Sequence, residues 1–204
     1  MKYSIKFRML FLLLSCLLLA IGCSNEPTGK INDYVIKDSD ATTGASFNIT
    51  LEEFVTRYND KTSNSTEQIS ISDFQLMEEK GPLGELWYAA ENIPKISPKY
   101  SLIIICSPKS NKIVSIAAKS RFQMYLKSDI FPLVYGESGR FLETLNNAAY
   151  ASGDVRSNYA AVYDNVAIFR ELVGQSDMIT IEAISNEKKA EYISQGLIEY
   201  TKLD

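Results

Sequence analysis

The 204-residue chain contains no histidine. That absence removes the commonest general base, the Ser-His and Cys-His nucleophile pairs and most catalytic zinc sites. Neither a G-x-x-x-x-G-K loop nor a G-x-G-x-x-G fingerprint occurs, so the backbone cradles that these motifs build for phosphate are missing. No apolar run reaches the roughly 20 residues that a membrane-spanning helix needs. The longest, Met9 to Ile21, has 13 residues and follows Lys2, Lys6 and Arg8. A short apolar stretch behind a positive start reads as a signal peptide.

Gly22 and Cys23 follow that run at once. Leu19-Ala20-Ile21-Gly22-Cys23 resembles the lipobox of bacterial lipoproteins, with Ala20 where the family most often carries Leu. In that family diacylglycerol is attached to the cysteine sulfur and a dedicated peptidase cuts just before it. The resemblance covers residues 1–23 only. It implies that Cys23 carries acyl chains of the palmitate class, that residues 1–22 are removed, and that the rest of the chain lies outside the cytoplasm. It also implies membrane lipid as a partner through Cys23, since two or three chains anchor firmly where one holds marginally. Ser24 resembles the residue found in lipoproteins sent to the outer membrane, facing the periplasm, in two-membrane bacteria.

Processing changes the balance of the chain. Cys16 leaves with the signal and Cys23 carries lipid, so Cys106 stays as the sole thiol and no intrachain disulfide can form. Losing Lys2, Lys6 and Arg8 leaves 18 basic against 25 acidic residues, a mature charge of about −7. An acidic surface argues against nucleic acid as a partner.

Residues 24–46 are mostly small or polar, interrupted by Tyr34-Val35-Ile36. They read as part of a flexible tether beginning at the lipidated Cys23, spanning about 25 Å as a coil. Residues 47–204 then form a single domain of ordinary size. Thr50 and Glu53 match a capping box, Ile49 can staple to Phe54, and Leu51, Phe54, Val55 and Tyr58 share a helical face that the polar run 59–65 ends. Phe74 and Leu76 alternate with polar neighbours, and Gly81-Pro82-Leu83-Gly84 turns the chain into a strand over 85–91. The runs 102–106 and 113–118 flank the polar loop 108–112 as a hairpin at the expected centre of the sheet. Helical spacing resumes at Ile130, Phe131 and Val134, and again from Phe141 to Ala149. The segments 166–171 and 178–184 read as strands, with a helix over 159–172 as the alternative. Ala190, Ile193 and Leu197 recur at the spacing of a terminal helix. The order suits an α+β domain, an antiparallel sheet with helices packed on one face.

Motifs for chemistry are sparse. Ser185-Asn186-Glu187-Lys188 fits Ser-x-x-Lys, in which a lysine one turn away takes the serine proton, but no Ser-Asp-Asn or Lys-Thr-Gly accompanies it. A helix N-cap with a solvated lysine explains it better. Gly136-Glu137-Ser138-Gly139 resembles the start of a nucleophile elbow, but Arg140 replaces the second glycine and no histidine could serve it, so a turn before a helix explains it better. Asp38-Ser39-Asp40 lacks the further ligands of a calcium loop, and Glu52 and Glu53 suit a helix start. Cys106 ends an apolar run and reads as a small buried hydrophobe. Of Trp87 and Tyr88, neighbours on a strand, one faces away from the other. No catalytic, cofactor-binding or metal-ligating residue is therefore assigned, and lipidation at Cys23 stands as the site. The expected function is a membrane-anchored binding or interaction module of the cell envelope, inhibitor- or immunity-like, capturing an envelope or secreted protein. A histidine-free Ser-Lys hydrolase and a structural assembly lipoprotein are the alternatives.

Overall fold

A computed structural model describes residues 34–62, 68–77, 81–93, 100–120, 130–135, 147 and 158–200. The described residues fall in one compact unit running from Ile31 to Asp204. The chain opens with a hairpin, β1 (Val35–Lys37) and β2 (Ala45–Phe47), and continues into helix α1 (Leu51–Lys61). A 3₁₀ turn (Ile71–Asp73) leads to β3 (Gln75–Leu76), β4 (Leu86–Ile93), β5 (Tyr100–Cys106) and β6 (Ile113–Ser120). The short helix α2 (Phe131–Tyr135) follows, then β7 (Tyr159–Tyr163), β8 (Val166–Val173), β9 (Ser176–Ala183), α3 (Asn186–Ser194) and β10 (Ile198–Tyr200). Eight strands form one sheet in the order β10-β7-β8-β9-β6-β5-β4-β3. Every pair is antiparallel except β10 with β7.

The molecule is thus mixed α and β, and the sequence expectation needs three corrections. The sheet is not purely antiparallel, because α3 carries the chain from β9 past β8 so that β10 returns alongside β7 in parallel. Its middle is β9 and β6, which places β5 one strand off centre. The helices do not share one face. Phe54 of α1 and Phe131 of α2 join the cluster of Ile104, Ile116, Ile181 and Ile168, whereas Tyr192 of α3 packs with Phe169 on Ala167 and Val162. Alternation along β8 turns Ala167 away from Ile168, so α3 lies on the opposite face.

Helix α1 forms as its sequence dictates. The Thr50 hydroxyl accepts from Glu53 N at 3.2 Å and the Glu53 carboxylate accepts from Thr50 N at 2.8 Å, while Ile49 and Phe54 are both buried in the same cluster. It runs past the expected stop at Asn59. Asn59 brackets Ile69 with two hydrogen bonds from within the helix, and Thr62 closes the end on Tyr58 O. Helix α3 ends in a Schellman turn: Gly196, at φ 97°, donates to Ile193 O and Leu197 N donates to Tyr192 O. Glycine adopts that left-handed conformation without steric cost. The turn brings Leu197 back on to Tyr192 rather than extending the helix to it.

The tether also ends sooner than its composition predicts. Residues 35–46 belong to the folded hairpin, with Ala41, Ala45 and Ser46 buried and Asp38 only 7% exposed. Tyr159 to Tyr163 form a strand, not a helix. The signal peptide, Cys16, Cys23, the start of the tether, Gly136 to Gly139 and the expected helix at 141–149, except Asn147, lie outside the described residues. Among the described residues no helix is long and apolar enough to cross a membrane.

Candidate functional site

Antiparallel pairing puts the start of β4, the end of β5, the start of β6, the end of β7, the start of β8 and the end of β9 at one end of the sheet. The turn before Glu85, the loop 107–112, the turn Asp164-Asn165 and the N-terminus of α3 therefore gather there, and the β1–β2 loop reaches across them. Asp38 is the hinge of this cap. Its carboxylate accepts from Ser107 Oγ at 3.1 Å, Ser110 Oγ at 2.7 Å and Asp40 N at 3.1 Å. Burial pushes that carboxyl up, but the hydrogen bonds outweigh it and hold Asp38 below the usual range. Buried Glu85 holds the other side, accepting from Thr42 N at 2.8 Å and from the Thr42 hydroxyl. Lys109 pairs with Asp40 at 2.7 Å on the surface, a contact of small energetic weight.

Beside the cap lies a cleft of about 510 Å³, lined by Val35 to Lys37 on one wall and by Asn165, Ile184 and Ser185 to Glu187 on the other. Its size is that of a ligand pocket. Gly44 sits where the walls meet. Its φ is 71°, and a Cβ there would lie 3.1 Å from Ser185 Cβ, so glycine allows both the turn and the approach. Ser185 N donates to Thr43 O at 3.0 Å, which ties the hairpin to α3.

The motif residues take mostly structural places. Ser185 caps α3, accepting from Lys188 N at 3.2 Å, while Lys188 Nζ sits 3.0 Å from Glu191 Oε2 and 4.9 Å from the centre of the Tyr192 ring. The ammonium is committed to its own helix, away from a proton-abstracting role on Ser185. Cys106 is fully buried, and burial, aided by the negative field of Glu52, pushes its thiol up to about 12. At neutral pH it is a thiol, not a nucleophilic thiolate. Tyr88 packs on the main cluster, so its neighbour Trp87 faces the other side of the sheet with its indole N–H buried. Among the described residues no group of three or more acidic or cysteine side chains could hold a metal.

The loop 108–112 and the turn 81–84 were both legible in the sequence as chain reversals, and the fold brings them to the same end. The β1–β2 hairpin between them was not legible there. The signal was the β-branched pair Val35-Ile36 inside an otherwise polar segment, too short to outweigh its surroundings.

One polar contact on the far face stands apart. Glu182 of β9 accepts from Tyr192 OH at 2.8 Å. Burial raises its carboxyl, which the Tyr192 and Lys188 contacts oppose and the nearby Glu85 charge reinforces. No family model, curated protein or solved structure matches the chain.

Proposed function

We propose that this is a bacterial lipoprotein, held to the membrane by acyl chains on Cys23 and presenting its α+β domain outside the cytoplasm to capture an envelope or secreted protein. The observation that carries the recognition half is the gathering of four loops and a cleft at one end of the sheet, where Leu83 is 52% exposed. Loops on a rigid sheet are the usual place for binding residues. The anchor half rests on residues 1–23, whose apolar run, glycine and cysteine fall in the lipoprotein order. Recognition is favoured over catalysis by the missing histidine, the protonated Cys106 and the engaged Lys188.

Detergent phase separation of cells tests the anchor. Native protein is expected in the detergent phase without its first 22 residues and labelled by palmitate, and Cys23→Ser is expected to keep those residues and to take up no label. If Cys23→Ser matures and is labelled like the native chain, the lipoprotein reading is wrong. For the second half, Lys188→Met is expected to leave the cellular phenotype intact. Loss of phenotype with fold and localisation preserved would move the balance to a Ser-Lys enzyme.

A further inference from the structure

The β1–β2 hairpin is a two-stranded sheet of its own, so among the described residues β1 is paired on one side only. Asp38 N donates to Gly44 O and Asn48 N donates to Tyr34 O, so the opposed pairs 38/44 and 34/48 are hydrogen-bonded pairs. Such pairs alternate along an antiparallel ladder. Ile36 and Ser46 therefore form the bonded pair between them, and Val35 and Lys37 turn both N–H and C=O away from β2. Neither residue has a backbone partner on that outer side among the described residues. Val35, Ile36 and Lys37 all line the cleft. Three successive residues of an alternating strand can do so only if the strand is met edge-on.

We propose that the free edge of β1 takes up an extended, uncharged peptide segment of the captured protein, which adds as a third strand inside the cleft. This rests on the recognition reading above and names how the partner is held. Two N–H and two C=O groups in fixed alternation are matched only by another extended main chain, the recognition mode of strand addition. The opposite wall, Asn165 and Ile184 to Asn186, faces that edge across the cleft, so an added chain meets side chains on its far side as well as main chain on its near side. Lys37 and Glu187, of opposite sign on facing walls, leave no net charge for a charged side chain to answer. Val35, Ala45 and Ile184 suit small apolar side chains.

The test uses the mature chain in detergent micelles, labelled for amide NMR, and a capped Ala-Val-Ser-Val-Ala peptide as probe. Millimolar peptide is expected to shift the Val35 and Lys37 amides and to leave those of β3 and β10 in place. The same peptide N-methylated at alternate residues is expected to bind at least tenfold more weakly. So is Val35→Pro, which removes an outward N–H while leaving the bonds of Ile36 to β2 intact. The N-methyl arm needs no variant, so a Val35→Pro chain that fails to fold does not spare the proposal. Absence of shifts at ten millimolar, shifts confined to another edge, or equal binding of the N-methylated peptide overturns it. A two-chain mass that Val35→Pro abolishes also overturns it, by placing a second copy at the edge. If these results come while photocrosslinkers placed at Leu83 and Lys109, at the loop end, still capture a discrete partner in cells, the edge is wrong and recognition by the loop end stands.

Discussion

The two faces of the sheet are built to different standards. On one, α1 and α2 bury Leu51, Phe54, Tyr58 and Phe131 against a field of isoleucines, and the cluster continues under the β1–β2 hairpin through Ala45 and Phe47. On the other, α3 has no buried residue of its own. It rests on Val162, Ala167 and Ile184 through Tyr192 and Leu197, with Phe169 meeting Tyr192 edge to face at 5.7 Å. Charge follows the same division. Asp38, at the hairpin, is stabilised as a carboxylate by three donors, whereas Glu182, under α3, is disfavoured as one by burial. The first face supplies stability and the second is a thin attachment, and their two carboxylates respond to pH with opposite sign.

Truncation should make this contrast measurable. Phe54→Ala, fully buried in the thick face, is expected to cost about 3–5 kcal/mol in urea unfolding. Asp38→Asn is expected to cost about 1–3 kcal/mol, because it replaces a charge-assisted acceptor of two serine hydroxyls. Leu197→Ala, in the thin face, should cost only about 1 kcal/mol. A cost for Leu197→Ala equal to that of Phe54→Ala would erase the distinction between the faces.

The pH dependence should split the two carboxylates by sign. Asp38 has a folded pKa below its unfolded value, so its contribution is present above the unfolded pKa and fades as pH falls through the folded one. Glu182 has a folded pKa above its unfolded value, so its contribution is present at low pH and is lost as pH rises through the folded one. Asp38→Asn should therefore flatten the acid limb of a stability profile. Glu182→Gln, the smallest change, should remove the decline on the rising side and leave the chain more stable at neutral pH. Urea midpoints from pH 2 to 8 measure both, and the same sign of change from the two variants would contradict this assignment.

Where one residue pattern controlled the outcome, the sequence was readable. The capping box at Thr50 and Glu53, the hairpin 102–118 and the burial of Cys106 each follow from local chemistry that the fold does not oppose. Elements whose pairing is long-range were not readable. β10 has three residues and exists because α3 returns the chain to β7. β1 and β2 lie in a stretch whose composition is that of a linker, and Asp38 folds there only because Ser107 and Ser110, some 70 residues on, supply its donors. Tyr159-Ala-Ala-Val-Tyr163 lacks the alternation of a half-buried strand because both of its faces are covered, Tyr163 by the main cluster and Val162 by the cluster under α3. The candidate site suffered most, since its cleft is made of such elements.

The central claim, recognition by the loop end of an anchored domain, is tested most directly by photocrosslinking in living cells from single positions. Leu83 and Lys109 stand at the loop end, and Leu172, 42% exposed near the β8–β9 turn, stands at the other end of the sheet. Discrete adducts of one mass from Leu83 and Lys109, with none from Leu172, are the predicted result. Adducts from Leu172 alone, or no adduct from any of the three, would contradict the account.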